Sequence, residues 1–262
     1  MLLEPIQYLL GLVSGGLVGF TLGLFGGGGS ILAVPLMVYL VGVPSPHLAI
    51  GTSALAVAAN AGANLVSHAR RGNIKWRCAG IYSVAGVAGA LLGSTAGKAL
   101  DGQKLLFLFA LLMMVVGALM FRGRNAGGNP GAACTIANAP KTIGLGAATG
   151  ILSGFFGIGG GFLIVPGLVA STGMPLLTAI GSSLVAVTAF GLTTAVNYAW
   201  SGLVDWPLAA VFVLGGVGGG VFGAFAAGQL SQRRGLLGSL FATLIFVVAL
   251  YMAWRSAAAF QG

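Results

Sequence analysis

Two glycine clusters carry the residue types best suited to chemistry. FGGGGSILAVP runs from Phe25 to Pro35, and FGIGGGFLIVP runs from Phe156 to Pro166, 131 positions later. Glycine at these points permits sharp turns and lets a ligand approach the main chain closely. Short helices beginning at Ser30 and Phe162 would aim their first N–H groups, and the positive ends of their dipoles, at the breaks. Two such ends converging would cradle an oxyanion without a buried lysine or arginine. Further along, Gly51-Thr52-Ser53 and Gly181-Ser182-Ser183 place paired hydroxyl groups at corresponding positions. Hydroxyls donate hydrogen bonds to sulfonate, sulfate or carboxylate oxygens with no ionised side chain. The expected substrate ligands are therefore Gly27, Gly28, Ser30, Thr52 and Ser53 from one half, and Gly159, Gly160, Gly161, Ser182 and Ser183 from the other. The plainer readings are tight helix packing for the glycines and interhelical hydrogen bonding for the hydroxyls.

Other polar residues are sparse. Ser53, Asn60 and Asn64 fall on one stripe of a helix, and Ser183, Thr194 and Asn197 on roughly one face of another. His47 and His68 stand singly at expected helix ends, where a structural, interfacial role is expected. No acidic residue falls inside an expected span, which argues against a carboxylate-based proton relay. The chain has no Walker-type loop, no metalloprotease motif and no nucleophile with a base partner, so neither an enzyme nor a cofactor or metal requirement is expected. Cys78 and Cys134 lack metal-ligand spacing, and neither a disulfide framework nor a zinc site is expected from them.

The elements that must position these residues are membrane helices. The chain is 57% hydrophobic and only 6% charged, whereas soluble domains carry about 25% charged residues. Apolar runs of roughly 20 residues, enough to cross a bilayer, recur throughout. Segments are expected at about 6–24, 30–43, 46–68, 75–97 and 104–121, then at about 142–156, 160–172, 175–200, 206–228 and 235–256. The second of each set is too short to span at about 1.5 Å per residue. MLLEPIQYLL lacks the basic n-region of a signal peptide and reads as part of the first helix. The net charge of +9 reads as topogenic bases in cytoplasmic loops rather than as a nucleic-acid surface.

The chain is a duplicated unit. GFTLGLF (19–25) matches GILSGFF (150–156), IGTSALAV (50–57) matches IGSSLVAV (180–187), and RGNIKW (71–76) matches SGLVDW (201–206). Gly86, Gly89 and Gly93 match Gly216, Gly219 and Gly223. The expected organisation is a first membrane repeat over 1–121, a cytoplasmic linker over 122–141 and a second membrane repeat over 142–262. Gly11, Gly15, Gly19 and Gly23, like Gly146, Gly150 and Gly154, recur every four residues as a packing face. Trp76, Trp200, Trp206 and Trp254 sit near expected helix ends as belt anchors. Placing the two halves upside down relative to each other puts nine bases on one side and three on the other, against eight and four for a parallel arrangement. Inversion requires segments one and two of each half to cross together twice or not at all, making each glycine break the tip of a hairpin.

These residues resemble a known family. GGLVGFTLGLFGGGGSILAVPLMV, IGTSAL and RRGNIKW in the first half, with FGIGGGFLIVP and IGSSLVAV in the second, are similar to the sulfite exporter TauE/SafE family over nearly the whole chain. The resemblance implies secondary transport of small sulfur-containing anions, such as sulfite, sulfoacetate or related organosulfonates, out of bacterial cells. It points to the two glycine clusters and the two IGxS elements as the binding region. The expectation is an all-α, multi-pass protein of the bacterial inner membrane with two inverted repeats, each a glycine-broken hairpin plus three spanning helices. Its partners would be a small anionic substrate and the lipid bilayer, with no nucleic acid. A passive anion channel and a non-transporting scaffold or sensor are the alternatives.

Overall fold

The computed structural model describes residues 4–123, 128–129, 131–132, 134–135, 137–157, 161–230 and 236–259. Every regular element among them is helical. In chain order these are α1 (Pro5–Phe25), a 3-10 turn (Gly26–Leu32), α2 (Ala33–Pro35), a π turn (Leu36–Leu40), α3 (Pro46–Arg70), α4 (Trp76–Lys98) and α5 (Gly102–Gly123). The second half contributes α6 (Ala139–Phe156), α7 (Gly161–Thr172), α8 (Leu176–Trp200), α9 (Trp206–Leu230) and α10 (Leu236–Ala259). Six helical stretches among the described residues are long and apolar enough to cross a bilayer.

Local chemistry sets the boundaries. Ser45 accepts the Leu48 N–H and Pro46 opens α3, the usual preference at a first helical position. All three acids of the chain precede helices. Asp101 Oδ1 accepts from Gln103 and Lys104, Asp205 Oδ1 accepts from Leu208, and the Glu4 N–H donates to Gln7 Oε1. Acids are thus consumed as helix caps, where the dipole favours them. Gly72, Gly173 and Gly202 take φ near 72° in the turns that follow α3, α7 and α8, a backbone conformation open to glycine at no steric cost.

Helix directions follow from the close approaches. α1 runs parallel to α9: a Cβ on Gly15, Gly19 or Gly23 would strike the backbone of Phe212, Gly216 and Gly220 in turn. α4 runs parallel to α6 in the same manner, with Gly146, Gly150 and Gly154 against Tyr82, Gly86 and Ala90. The four-residue glycine periods are therefore backbone-to-backbone seams. Lipid offers no hydrophobic drive between helices, so such seams gain their energy from dispersion at close range. α3 and α8 cross antiparallel: Gly51 meets Leu203, Gly191 meets Ala54 and Ala58, and Gly181 meets Asn73.

Every major seam joins one half of the chain to the other, so the halves interlock rather than stand side by side. The bundle consequently has two distinct ends. Arg70, Arg71, Lys75, Arg77 and Lys141 lie at the end where α3 passes into α4. Lys98, Lys104 and Arg255 lie at the end where α4 passes into α5. Trp76, Trp200, Trp206 and Trp254 are all exposed at helix ends, as membrane-interface anchors require.

The expectation for the cysteines is overturned. Cys78, at the start of α4, and Cys134, in the linker, form a disulfide with their Cα atoms 5.3 Å apart. A separation of 56 residues carries no local signature; the fold brings the linker back over the base-rich end. A second connection, the Asn129 N–H to the Gly173 carbonyl at 2.8 Å, holds the linker beside the turn before α8.

Candidate functional site

The first break begins where α1 stops. Gly26 takes a φ of 62°, and its counterpart Gly157 takes 66°. From there the chain turns back along α1, with Gly29 against Thr21 and Leu22. The hairpin closes where Gln7 Nε2 donates to the Val41 carbonyl at 3.1 Å. The glycine cluster itself is wound into the 3-10 turn Gly26–Leu32 and is buried. This corrects the expectation of a short helix starting at Ser30: Ser30 lies inside the turn and its hydroxyl donates to the Gly27 carbonyl at 2.8 Å. Four glycines in succession remove the side-chain clashes that would otherwise disfavour the tighter winding.

The two breaks meet. A Cβ on Gly161, the first residue of α7, would collide with the carbonyl group and Cα of Gly27. Gly27 also abuts Val187, near the midpoint of α8. The contact between the breaks therefore lies deep in the bundle, with the N-terminus of the 12-residue α7 directed at it. That end leaves its first N–H groups without intrahelical partners. The Gly27 N–H donates to Ser183 Oγ at 3.0 Å, and Ser183 donates in turn to the Ile180 carbonyl at 2.7 Å.

Each break is seated on the other half. Gly26 lies against Ile180 and Ser183 of α8, and Gly157 lies against Ile50 of α3. Aromatic covers are exchanged likewise. Phe241 of α10 stacks on Phe25 at 5.2 Å and occupies the space a Cβ on Gly28 would need. Phe109 of α5 packs on Phe156 and Phe162 at 5.6 and 5.9 Å. Sequence reasoning missed both aromatics because phenylalanine in an apolar helix gives no signal of what it covers.

The expected ligands divide into two groups. Gly27, Gly28, Ser30, Gly161 and Ser183 gather at the junction of the breaks. Ser53 stands at the corresponding place on α3, its hydroxyl donating to the Ile50 carbonyl at 3.0 Å. Thr52 and Ser182 do something else: Thr52 Oγ1 accepts the Asp205 N–H and Ser182 Oγ accepts the Lys75 N–H, each at 2.9 Å. They join the start of one long helix to the start of another across the halves, the interhelical role expected as the plainer reading. Gly159 and Gly160 lie outside the described residues.

Beyond the breaks, α3 carries a buried polar column. Asn60 is fully buried with neither amide atom partnered among the described residues. It occupies the space above Gly216 of α9. Asn64 faces Gly220 and donates to the Asn60 carbonyl at 2.9 Å. His68 Nε2 lies 3.1 Å from the Gly23 carbonyl in the last turn of α1. At the base-poor end, Lys98 Nζ donates to Asn197 O, Asn197 Oδ1 and Ser201 Oγ at 2.8–3.0 Å. That network clamps the ends of α4 and α8.

Comparison with known proteins matches residues 11–252 to a family described as Sulfite exporter TauE/SafE. A "Probable membrane transporter protein" of Xylella fastidiosa (strain 9a5c) is 54% identical, covering 93% of this chain and 94% of that protein. The "Probable membrane transporter protein YdhB" of Bacillus subtilis is 27% identical, covering 86% of this chain and 89% of its own length. The "Probable membrane transporter protein MJ0441" of Methanocaldococcus jannaschii is 29% identical over 70% of this chain and 68% of its own. No solved structure matches.

Proposed function

This chain belongs to the sulfite exporter TauE/SafE family, and on that premise we propose that it is a secondary transporter. Its substrates would be small sulfur-containing anions: sulfite, sulfoacetate or related organosulfonates. They leave the cell across the bacterial inner membrane by alternating access around the junction of the two glycine breaks. The observation that carries this reading is the Gly27–Gly161 contact deep in the bundle, beside Ser183 and the N-terminus of α7. Non-helical backbone is tolerated at membrane depth only where protein buries it or where it lines a cavity, and transporter sites are characteristically built from such interrupted helices.

In the arrangement described, the two breaks are clasped. Opening the Gly27–Gly161 contact frees the Gly27 N–H from Ser183 and uncovers the first turn of α7. An oxyanion then takes these N–H groups, with the hydroxyls of Ser30, Ser53 and Ser183 completing its shell and Gly28, Gly159 and Gly160 giving it access. Thr52 and Ser182 hold the scaffold and are not ligands in this reading. No buried cation is required, because oriented amides and a helix dipole supply the positive potential.

The repeats are inverted in this reading. Its support is that the equivalent helices α3 and α8 cross antiparallel, while α1 lies parallel to α9 and its equivalent α6 lies parallel to α4. The base-rich end, with the linker, faces the cytoplasm by the nine-to-three division of Lys and Arg. Disulfides are rare in the cytosol, so on this orientation Cys78 and Cys134 are thiols in growing cells and pair on exposure to air.

A thermal-shift series tests the proposal. Sulfite, sulfate, thiosulfate or sulfoacetate should raise the midpoint of the purified protein, with taurine and simple carboxylates as comparators. Stabilisation by a cation or a neutral solute alone would refute the oxyanion site.

A further inference from the structure

The polar column of α3 ends at a group that the anion site leaves unused. His68 is fully buried, its Nε2 rests on the Gly23 carbonyl at 3.1 Å, and its Nδ1 has no partner among the described residues. Gly23 sits in the last turn of α1, three residues before Gly26 opens the first break. Helix C-termini carry partial negative charge, and a histidine cation there is stabilised by the dipole. His68 therefore stands at the negative end of α1, the turn that leads directly into the first break.

We propose that His68 is a proton-binding site coupled to the anion site, so that a proton on Nδ1 accompanies the anion. The proposal rests on the oxyanion reading above and adds to it a second ligand. With Nε2–H donating to Gly23, the imidazole carries its lone pair on Nδ1; proton binding there gives the imidazolium and breaks no existing hydrogen bond.

The groups facing this position are few. α9, which packs on α1 beside Gly23, contains no titratable side chain. The ionisable groups of α1 and its cap, Glu4 and Tyr8, lie at its opposite end. On α3 and the turn after it stand Arg70, Arg71 and Lys75; Arg71, three residues beyond His68, reaches the Ala224 carbonyl of α9. A proton on His68 stands beside a like charge, and an anion entering the break at the end of α1 offsets that repulsion. Proton and anion binding are then mutually reinforcing, as linkage requires. A dianion carried with one proton still moves one net negative charge, so the membrane potential retains its hold on export.

The position matters because the equivalent residue of α8, 130 positions on, is Tyr198. The second half has the hydroxyl of a phenol where the first has an imidazole, so the coupling belongs to one half alone. His47, at the opposite end of α3, meets the Leu100 carbonyl at 3.1 Å and faces no break.

The test is titration calorimetry of the purified protein with sulfoacetate at pH 6 and pH 8, in buffers of different ionisation enthalpy. Sulfoacetate remains a dianion over this range, so its own protonation does not blur the result. Two unit charges about 10 Å apart at an effective dielectric of about 20 change affinity by roughly tenfold. Wild type should bind about tenfold tighter at pH 6 and take up protons. His68→Gln, whose amide can still donate to Gly23, should lose the dependence, and His47→Gln should keep it. Should His68→Gln fail to fold, Arg71→Gln serves instead: removing the like charge should carry tight binding to higher pH. Equal wild-type affinities at both pH values, an unchanged dependence in His68→Gln, or no shift in Arg71→Gln would overturn the coupling while leaving the anion site standing. Failure of sulfoacetate, sulfite and sulfate to bind at either pH would overturn both.

Discussion

α3 and α8 occupy equivalent places in the duplicated chain, yet their inner faces differ. α3 presents Ser53, Asn60, Asn64 and His68; α8 presents Ser183, Phe190, Thr194 and Tyr198, each 130 positions later. Both columns rest on glycine seats, the α3 column on α9 and the α8 column on α4. Asn60 lies over Gly216, and Phe190 lies over Gly86. The scaffold needs something bulky in each seat, and an aromatic ring serves it well. An amide with neither atom partnered does not serve packing, because a buried polar group without hydrogen bonds costs about 1–3 kcal/mol. The duplicated breaks are common to both halves, and the divergence between α3 and α8 bears on the proton coupling proposed for His68.

The largest test of this comparison is at the point the two halves share. Gly27→Val and Gly161→Val each force a side chain into the opposite backbone and should abolish folded protein or transport outright, read by detergent-extracted yield and flux. Gly80→Ala and Gly144→Ala, whose added Cβ would meet nothing within 4 Å, should leave both unchanged. Next in size, Phe190→Asn imposes the α3 chemistry on α8. Emptying a ring-filled seat costs about 3–5 kcal/mol, which should appear as a markedly lowered thermal midpoint.

A smaller effect concerns the tether that only the first half possesses. Residue 208, the counterpart of Cys78, is a leucine packed under Gly11. Cys78→Ser, or reductant on oxidised protein, should cost about 2–4 kcal/mol and leave anion affinity intact, checked by thermal unfolding with and without reductant. Smaller still, Thr52→Val and Ser182→Ala each strand one backbone N–H, at about 1–3 kcal/mol. The two losses should be alike, and neither should alter substrate affinity. Least of all in stability, Asn60→Leu should be neutral or slightly stabilising, yet it should slow transport. A large destabilisation there would make Asn60 a packing residue and remove the contrast with Phe190.

Much of the fold was legible because membrane helices write themselves as long apolar runs punctuated by Gly and Pro. The expected segments agree with the observed helices to within a few residues, including the broken second segment of each half. The four-residue glycine periods identified the seams. Which helix each seam faced was not legible: no single-sequence feature records that α1 packs on α9 rather than within its own half. The exchange of Phe109 and Phe241 between halves was hidden for the same reason. The disulfide was missed because its two cysteines are local to nothing. At the site, convergence of the breaks followed from their duplication. The 3-10 winding through Ser30 and the capping duties of Thr52 and Ser182 depended on tertiary partners. His68 was read as interfacial because it stands at a helix end; only the position of Gly23 places it beside the break.

In the proposed mechanism the two breaks form one site for a sulfur oxyanion. Uptake of labelled sulfite or sulfoacetate into proteoliposomes with an imposed potential measures it directly, with Gly27→Ala, Gly161→Ala and Ser183→Ala alongside wild type. Wild type should show saturable, potential-dependent flux, lost when either break is altered and weakened by Ser183→Ala. Flux that does not saturate, or that survives alteration of one break while failing with the other, would contradict it.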